Sequence, residues 1–586
     1  MALLILSTIL IAFLTWLAYV IYLRREKRRL RKKIGLDGPE AHWFLGNLKD
    51  IIDRTKFLGY NNAQEWNMEM WRKYGDRFAI YFGQKLDIYL ANEEDIKEVF
   101  IKNFSNFSDR GVIEIFRETK LNASLLQNTY ENGWKHTRSA IAPIFATGKM
   151  KAMHETINSK IDTFLEILRE KAEGTEKWDI YDFEMSGCEV SRSFPTCTQD
   201  LGSDQGCAKK KSSEKFWSEK IRQTFFFDFF RAKKYRKMIF EIFFGIFRFF
   251  PNLFGFFQEK WIKSDFQGLT LDVIGKCAFA IDTNCQRDRN DVFYVEARKF
   301  FHHIDLRNNP LVTASVMIPE LMWLWKFLYK FSGLASAEDP LVGGLDDVYE
   351  RRRGGEGADS VDLLKLLLDR EDDKTKGMTK QEVIENCFAF LLAGYETTST
   401  AMTYCSYLLA KYPDVQEKLY QEIVELKRSG KTLNYDSIHQ IKYLDAVYKE
   451  TLRYYPPVIH FISRTCLEDI TIRDQFYPKG CAVTVQANTV HRSESNWENP
   501  DKFDPERFLN TEDPTKDGLK WIPFGVGPRY CVGMRFAEME FKTTIAKLIE
   551  MFQLSVPEGE ADLVPDCNGV IMRPRDPVRL DLKLRK

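Results

Sequence analysis

Residues Phe524–Gly533 read FGVGPRYCVG, in which Phe524, Gly527, Arg529, Cys531 and Gly533 stand at the offsets of the pattern FxxGxRxCxG. Five specified residues at fixed spacing rarely agree by chance in a chain of 586 residues. Each position also has a chemical reason. A cysteine that ligates the centre of a flat cofactor must be deprotonated and must come close to it. Glycines let the backbone approach, and their N–H groups can point at the sulfur and tune it. Arg529 offers a fixed charge to an acidic group on such a cofactor. The competing fate of a single cysteine after a glycine loop is inert packing.

The rest of the composition narrows the field. None of the eleven cysteines forms a CxxC pair and none of the eight histidines sits in HExxH, so a zinc site is poorly supported. A 44% hydrophobic, 29% charged chain of net charge +1 is ordinary globular material and gives no reason to expect nucleic acid. The charge is uneven, however. Arg24 to Lys33 holds eight basic residues and one acidic, a local +7 that leaves −6 on the remainder. Before it, Met1 to Leu23 carries no charge, and its polar residues are Ser7, Thr8 and Thr15. This length and composition predict a membrane span over 1–23, followed by a basic flank and connector over 24–45. Basic residues after the apolar run, not before it, argue against a cleaved signal and keep the rest of the chain cytosolic. Cytosolic thiols stay reduced, so no disulfide framework is expected.

From residue 46 the pattern is mainly helical with a smaller β-rich part. Helical periodicity runs from about Gln64 to Tyr74. Phe78–Phe82 and Leu86–Leu90 flank Gly83-Gln84 as a hairpin, and Ala482–Val485 follows the turn Pro478-Lys479-Gly480 as a strand. Thr379 and Glu382 make a capping box, after which an apolar pattern continues to Lys411, before Pro413. That helix is about 48 Å long at 1.5 Å per residue. At its centre stand Ala393, Gly394, Tyr395, Glu396 and Thr397. Trp134 and Arg138 lie at i and i+4, on one helix face. Glu450 and Arg453 form an ExxR pair, and Trp497, Pro500, Phe503, Pro505, Glu506, Arg507 and Phe508 follow it.

Taken in this order, these motifs resemble those of the cytochrome P-450 family. The resemblance implies the family's triangular-prism fold, mainly α with a smaller β-rich subdomain, behind an N-terminal transmembrane helix. It implies haem b with iron held by the Cys531 thiolate. Trp134, Arg138, Arg464, Phe524, Arg529 and Gly533 then belong to the haem site, and Glu450, Arg453 and Arg507 to a buried charge network that supports it. Ala393 and Gly394 would leave room over the iron for dioxygen, and Glu396 and Thr397 would relay protons. The implied reaction is insertion of one oxygen atom into a lipophilic xenobiotic, steroid or fatty acid. The chain has no GxGxxG after a strand and no ferredoxin-like cysteine cluster. Electrons are therefore expected from NADPH-cytochrome P-450 reductase, with cytochrome b5 as a further donor, at the endoplasmic reticulum membrane. Lys135, Arg535 and Lys542 are candidates for docking that partner. Phe107 to Leu126, Val458 to Phe461 and Gly569 to Ile571 are expected to meet substrate. The branch suggested by AGYETTST, GPRYCVGMRFA and LAKYPDVQ is the one that oxidises drugs and steroids. Two other readings are a haem-thiolate hydroperoxide isomerase or dehydratase, and a non-catalytic membrane protein that binds haem or sterol.

One stretch does not fit. Phe225 to Phe257 holds fourteen phenylalanines in 33 residues without a clean period. Removing the 82 residues Glu184 to Asp265 would join WDIYDF to FQGLTLDVIG and leave 504. The segment 184–265 reads as a retained intron or gene-model artefact interrupting the domain 46–586. The alternative is an inserted, membrane-dipping loop.

Overall fold

The structure, a computed structural model, describes residues 2–111, 113–173, 178–181, 265–357, 362–371, 377–509 and 519–585. Most of residues 184–265 therefore lie outside the described residues, as does any test of how that segment arose.

The chain is mainly helical, and the sequence patterns locate several elements to the residue. Helix Ala63–Tyr74 matches the predicted period. Strands β1 (Arg77–Phe82) and β2 (Lys85–Leu90) form the hairpin, with Phe82 opposite Lys85 and Gly83 at φ +62° in the turn. Later strands are β3 (Trp178–Tyr181), β4 (Ile462–Thr465), β5 (Ile470–Ile472), β6 (Gln475–Tyr477), β7 (Ala482–Val485), β8 (Phe552–Ser555), β9 (Pro565–Asn568), β10 (Ile571–Pro574) and β11 (Val578–Leu584). The main sheet runs β1-β2-β7-β4, with β2 and β7 parallel from Asp87↔Ala482 to Leu90↔Val485. Its register with β4, Arg464↔Val483, sets Arg464 within the sheet. Smaller sheets are β3-β11-β8, β9-β10 and β5-β6.

The longest interior element is the central helix Lys380–Lys411, with both halves of the Thr379/Glu382 capping box formed. It is buried nearly all round, and polar residues among its apolar ones, such as Ser399 and Thr403, return their hydroxyls to backbone carbonyls four residues earlier. Leu391, Leu392, Tyr395 and Met402 join one core with Ile274 of helix Asp265–Phe279 and Ile545 of the terminal helix Met534–Met551. Each such side chain contributes about 1.5–3 kcal/mol by leaving water.

The N-terminal helix runs Ala2–Lys33, so the basic flank is its continuation and not a free linker. Arg24 is buried and bonds Glu320 at 2.8 Å and the Met317 carbonyl at 2.9 Å; Arg31 bonds the Pro39 carbonyl at 2.6 Å. These bonds tie the flank to the folded domain. Residue 1 and the side chains of 2–6, 9, 10 and 13 lie outside the described residues. Among the described residues no single helix is long and apolar enough to cross a membrane. Helix Leu48–Leu58, between connector and hairpin, was not foreseen, although Leu48, Ile51 and Ile52 stand at helical spacing.

Candidate functional site

Three groups of residues converge on Cys531. The first is its own loop. Gly525 (φ +81°) and Gly527 (φ +68°) take left-handed backbone that only glycine adopts without strain. A Cβ on Gly527 would also lie 2.2 Å from the Phe100 carbonyl oxygen. The Cys531 N–H closes the loop on the Phe524 carbonyl at 2.8 Å. Gly533 caps the terminal helix, so the thiol stands at the N-terminus of an 18-residue helix, where the macrodipole favours negative charge. Of the eight cysteines among the described residues, Cys531 is exposed and the other seven are buried. It is nevertheless surrounded by protein: burial raises its thiol, opposed by the Gly533 N–H and by Arg138 and Arg110. Accessible surface within dense protein is the signature of a cavity wall.

The second group is a stripe on the central helix. Phe390, Gly394 and Thr397 are half-buried and Ala393 is exposed, whereas their neighbours Leu391, Leu392, Tyr395, Glu396 and Thr398 are buried. The spacing i, i+3, i+4, i+7 is one helix face, so this face opens on internal space. Phe145 joins the two groups, with its ring 5.9 Å from that of Phe390 and its edge 3.8 Å from a Cβ built on Gly533. Thr397 donates its hydroxyl to the Ala393 carbonyl at 2.7 Å. Glu396 departs from expectation. Its carboxylate points off the stripe, accepts from Gln267 Nε2 at 2.9 Å, and is raised by burial against the opposing pull of Arg573. Gly394 too has a packing reason, since a Cβ there would press to 3.2 Å on Ile274. Ala393 is the small residue that faces the space.

The third group is cationic. Arg464 is 1% exposed and Arg529 3%, with Arg110 half-buried beside them. Arg529 donates to the carbonyls of Ser108 (2.5 Å) and Asn128 (2.7 Å) and lies 4.4 Å over the Trp134 ring. Arg464 reaches the carbonyls of Ser463 and Val526, and Arg110 those of Phe461 and Arg529. Arg138 donates to the Tyr530 carbonyl at 2.9 Å. Among the described residues the three guanidiniums have one carboxylate in reach, Asp109, at 3.8 Å from Arg529. Burial first, and then mutual repulsion with Arg110 and Arg529, lowers Arg464 well below the usual range. Burial and neighbouring arginines push Arg529 down to about 9, and Arg110 goes to about 10. Arg529 Nη1, Arg464 Nε and Arg110 Nε have no partner. Buried cations without anions are costly, so the site calls for an anionic ligand, and the two propionates of haem fit. Arg110 was missed in the sequence because a lone arginine in a loop belongs to no motif.

The ExxR network closes as expected. Glu450 and Arg453, both fully buried, pair at 2.6 and 2.8 Å, and Arg507 reaches Glu450 at 3.2 Å. Two other expectations need correction. Lys542 cannot dock a partner, because it is 2% exposed and bonds Asp445 at 2.7 Å and Glu538 at 2.6 Å. Phe107 does not line a substrate space; it is fully buried in the core, edge-on to Tyr477 at 5.7 Å. Lys135 and Arg535 are exposed. Val458 bridges Ile571, and Gly569 packs on Ile304, so these predicted substrate segments lie together.

A thiol loop on a cavity wall, an opened helix stripe and an anion-seeking cation cluster define a haem-thiolate protein. The chain belongs to the cytochrome P450 family, whose pattern matches residues 36–185 and 224–582. The break in that match falls inside the segment that looked out of place. The chain is similar to cytochrome P450 3A12 of Canis lupus familiaris, 26% identical over 563 residues that cover 94% of this chain and 92% of the relative. It is likewise similar to cytochrome P450 3A11 of Mus musculus (25%, 95% and 92%) and to cytochrome P450 3A27 of Oncorhynchus mykiss (26%, 94% and 90%). It is thus a monooxygenase whose cofactor is haem with an axial cysteine thiolate.

Proposed function

We propose that Cys531 is that axial thiolate and that the enzyme inserts one atom of dioxygen into a lipophilic small molecule, with electrons from NADPH delivered by a separate reductase. The observation that carries this is the cluster of Arg110, Arg464 and Arg529, short of carboxylates and within electrostatic reach of one another beside the cysteine loop. Bound there, haem supplies the activation of dioxygen.

The chain's own residues do the rest. Gly533 N–H and the helix N-terminus stabilise negative charge on the Cys531 sulfur. Arg110, Arg138, Arg464 and Arg529, with Trp134 as a flat wall, would hold and orient the propionates. Ala393, small and exposed on its helix face, would leave room for dioxygen beside the bound group. Thr397 can turn its hydroxyl from the Ala393 carbonyl into the space and present a proton there. Glu396, its carboxyl raised by burial, is a neighbouring proton store. Val458 to Phe461 and Gly569 to Ile571 offer apolar contacts to substrate. Exposed Lys135 and Arg535 suit an acidic reductase surface. The uncharged residues 2–23, leading into a basic helix end, support a single-pass anchor in the endoplasmic reticulum membrane with the catalytic part cytosolic.

The test is a carbon monoxide difference spectrum of the reduced protein beside Cys531→His, followed by reconstitution with reductase and NADPH. The expected result is a red-shifted thiolate Soret band that the variant lacks, and substrate-dependent NADPH consumption with an oxygenated product. A normal band in the variant would refute the assignment of Cys531.

A further inference from the structure

Away from the proposed haem ligand, two more cysteines meet. Cys466 and Cys481 continue the antiparallel register of β4 and β7 one position beyond Thr465↔Ala482. The Cys466 N–H donates to the Cys481 carbonyl at 3.0 Å, and the Gly480 N–H to the Cys466 carbonyl at 2.8 Å. Directly opposed residues of an antiparallel pair have Cα atoms about 4.5–5.5 Å apart, inside the roughly 4.4–6.8 Å span of a disulfide. The two side chains lie on the same face of the pair, with their thiols in contact. This register brings the two thiols within reach of an S–S bond.

The pair is also asymmetric. Cys466 lies against the Cys481 thiol, donates its S–H to the Glu468 carbonyl at 3.0 Å and accepts from the Asn106 amide at 3.7 Å. These bonds lower Cys466, the Cys481 contact first, while Cys481 is raised. Cys466 is therefore the better nucleophile. Both are buried, and exposed residues lie within two positions of each along the chain. Glu468, Asp469, Lys479 and Gly480 above them are exposed and held by Lys479 Nζ to Glu468 at 2.7 Å and Lys479 N to Asp469 at 2.6 Å. Only a small oxidant could pass. Two residues before Cys466 along β4 is Arg464. Asn106, which bonds the backbone N–H and carbonyl of Glu468 at 2.8 Å each, lies two residues before Ser108, the acceptor of Arg529.

We propose that Cys466 and Cys481 are a modification site: a dithiol that hydrogen peroxide oxidises to a reversible disulfide, locking the base of the β5-β6 hairpin beside the arginine cluster. The Cys466 thiolate attacks the peroxide O–O bond, forming a sulfenic acid and releasing hydroxide, which takes the Cys481 proton to become water. The Cys481 thiolate then attacks the Cys466 sulfur, forming S–S and displacing a second hydroxide, which leaves as water with a proton from solvent. That proton replaces the one Cys466 lost on becoming a thiolate. Two thiols and one peroxide thus give one disulfide and two waters.

The test uses the full-length, haem-loaded protein. After peroxide treatment and alkylation, a digest without reductant is expected to contain the Cys466 and Cys481 peptides linked, and dithiothreitol is expected to separate them. Recovery of both as alkylated thiols or as sulfonic acids overturns the proposal. In Cys481→Ser, oxidation should stop at a Cys466 sulfenic acid that dimedone traps when the protein is unfolded in its presence after the peroxide is quenched; no dimedone adduct then counts against it. For the lock, trypsin cleavage of the wild type after exposed Arg473 should slow about tenfold on oxidation, in line with the constraint of a closed loop. Equal cleavage rates in the two forms refute the locking.

Discussion

The molecule buries arginine in two ways. Around Glu450 the cations are closed: Arg453 spends its donors on the carboxylate and on the carbonyls of His491, Pro500 and Lys502, and Arg507 completes the group. Around Arg529 the cations are open: Arg110, Arg464 and Arg529 meet carbonyls, each keeps an unpartnered nitrogen, and among the described residues only Asp109 answers their charge. Both clusters are desolvated. A buried cluster that balances itself is scaffold, whereas one that leaves charge over is waiting for a ligand, and the sign of the excess says what kind.

The comparison breaks most visibly at Glu450. Glu450→Ala leaves two arginines without their carboxylate and is expected to cost about 3–5 kcal/mol, much of a domain's stability. Recovery of soluble protein with the thiolate Soret band should fall to near nothing. At the open cluster the sign should depend on the ligand. Arg464→Met is expected to stabilise the haem-free protein by about 1 kcal/mol by removing a repelled buried cation. It should also speed haem transfer to apomyoglobin about tenfold, because a charge-assisted bond is lost. Urea unfolding of the haem-free form and the transfer rate check the two halves. Arg453→Met, by contrast, should destabilise both forms.

A buried anion sharpens the rule from the other side. Glu338 is 1% exposed, accepts from the Tyr329 hydroxyl at 2.6 Å, and is pushed by burial up to about 7. Its folded value lies above its unfolded one, so its contribution is fully present below about 4.5 and is lost as pH rises through about 7. Unfolding free energies measured across that window should fall by about 1.4 kcal/mol per pH unit from this group, and Glu338→Gln should remove that slope. The smallest effect is expected at Asp109. Asp109→Asn takes away the open cluster's one anion and should lower haem-free stability by about 0.5 kcal/mol, read as a small shift in the urea midpoint.

Much of the site was legible before any fold. The cysteine loop, the ExxR pair and the capped central helix are local patterns, and local patterns survive in one dimension. Other features depend on partners far away in the chain. Arg110 matters because β4 and the cysteine loop bring Arg464 and Arg529 beside it. Lys542 looked like a surface lysine until Asp445, 97 residues earlier, was found to pair with it. Glu396 and Thr397 are neighbours in sequence, yet one helix step turns the first toward Gln267 and the second toward the cavity.

What the amino-acid order determined by itself was the inventory: a cysteine between glycines, a polar break in an apolar helix, a paired Glu and Arg, and an uncharged stretch ahead of a basic one. Period, capping and turn chemistry act over a few residues, so these could be read directly. Only the tertiary structure decided which charges are answered and which are left open, and which thiols meet. The parallel pairing of β2 with β7 sets residues hundreds of positions apart in register, and the antiparallel pairing of β4 with β7 adds Arg464 to that sheet. Desolvation then made the balance of charge there a matter of several kcal/mol.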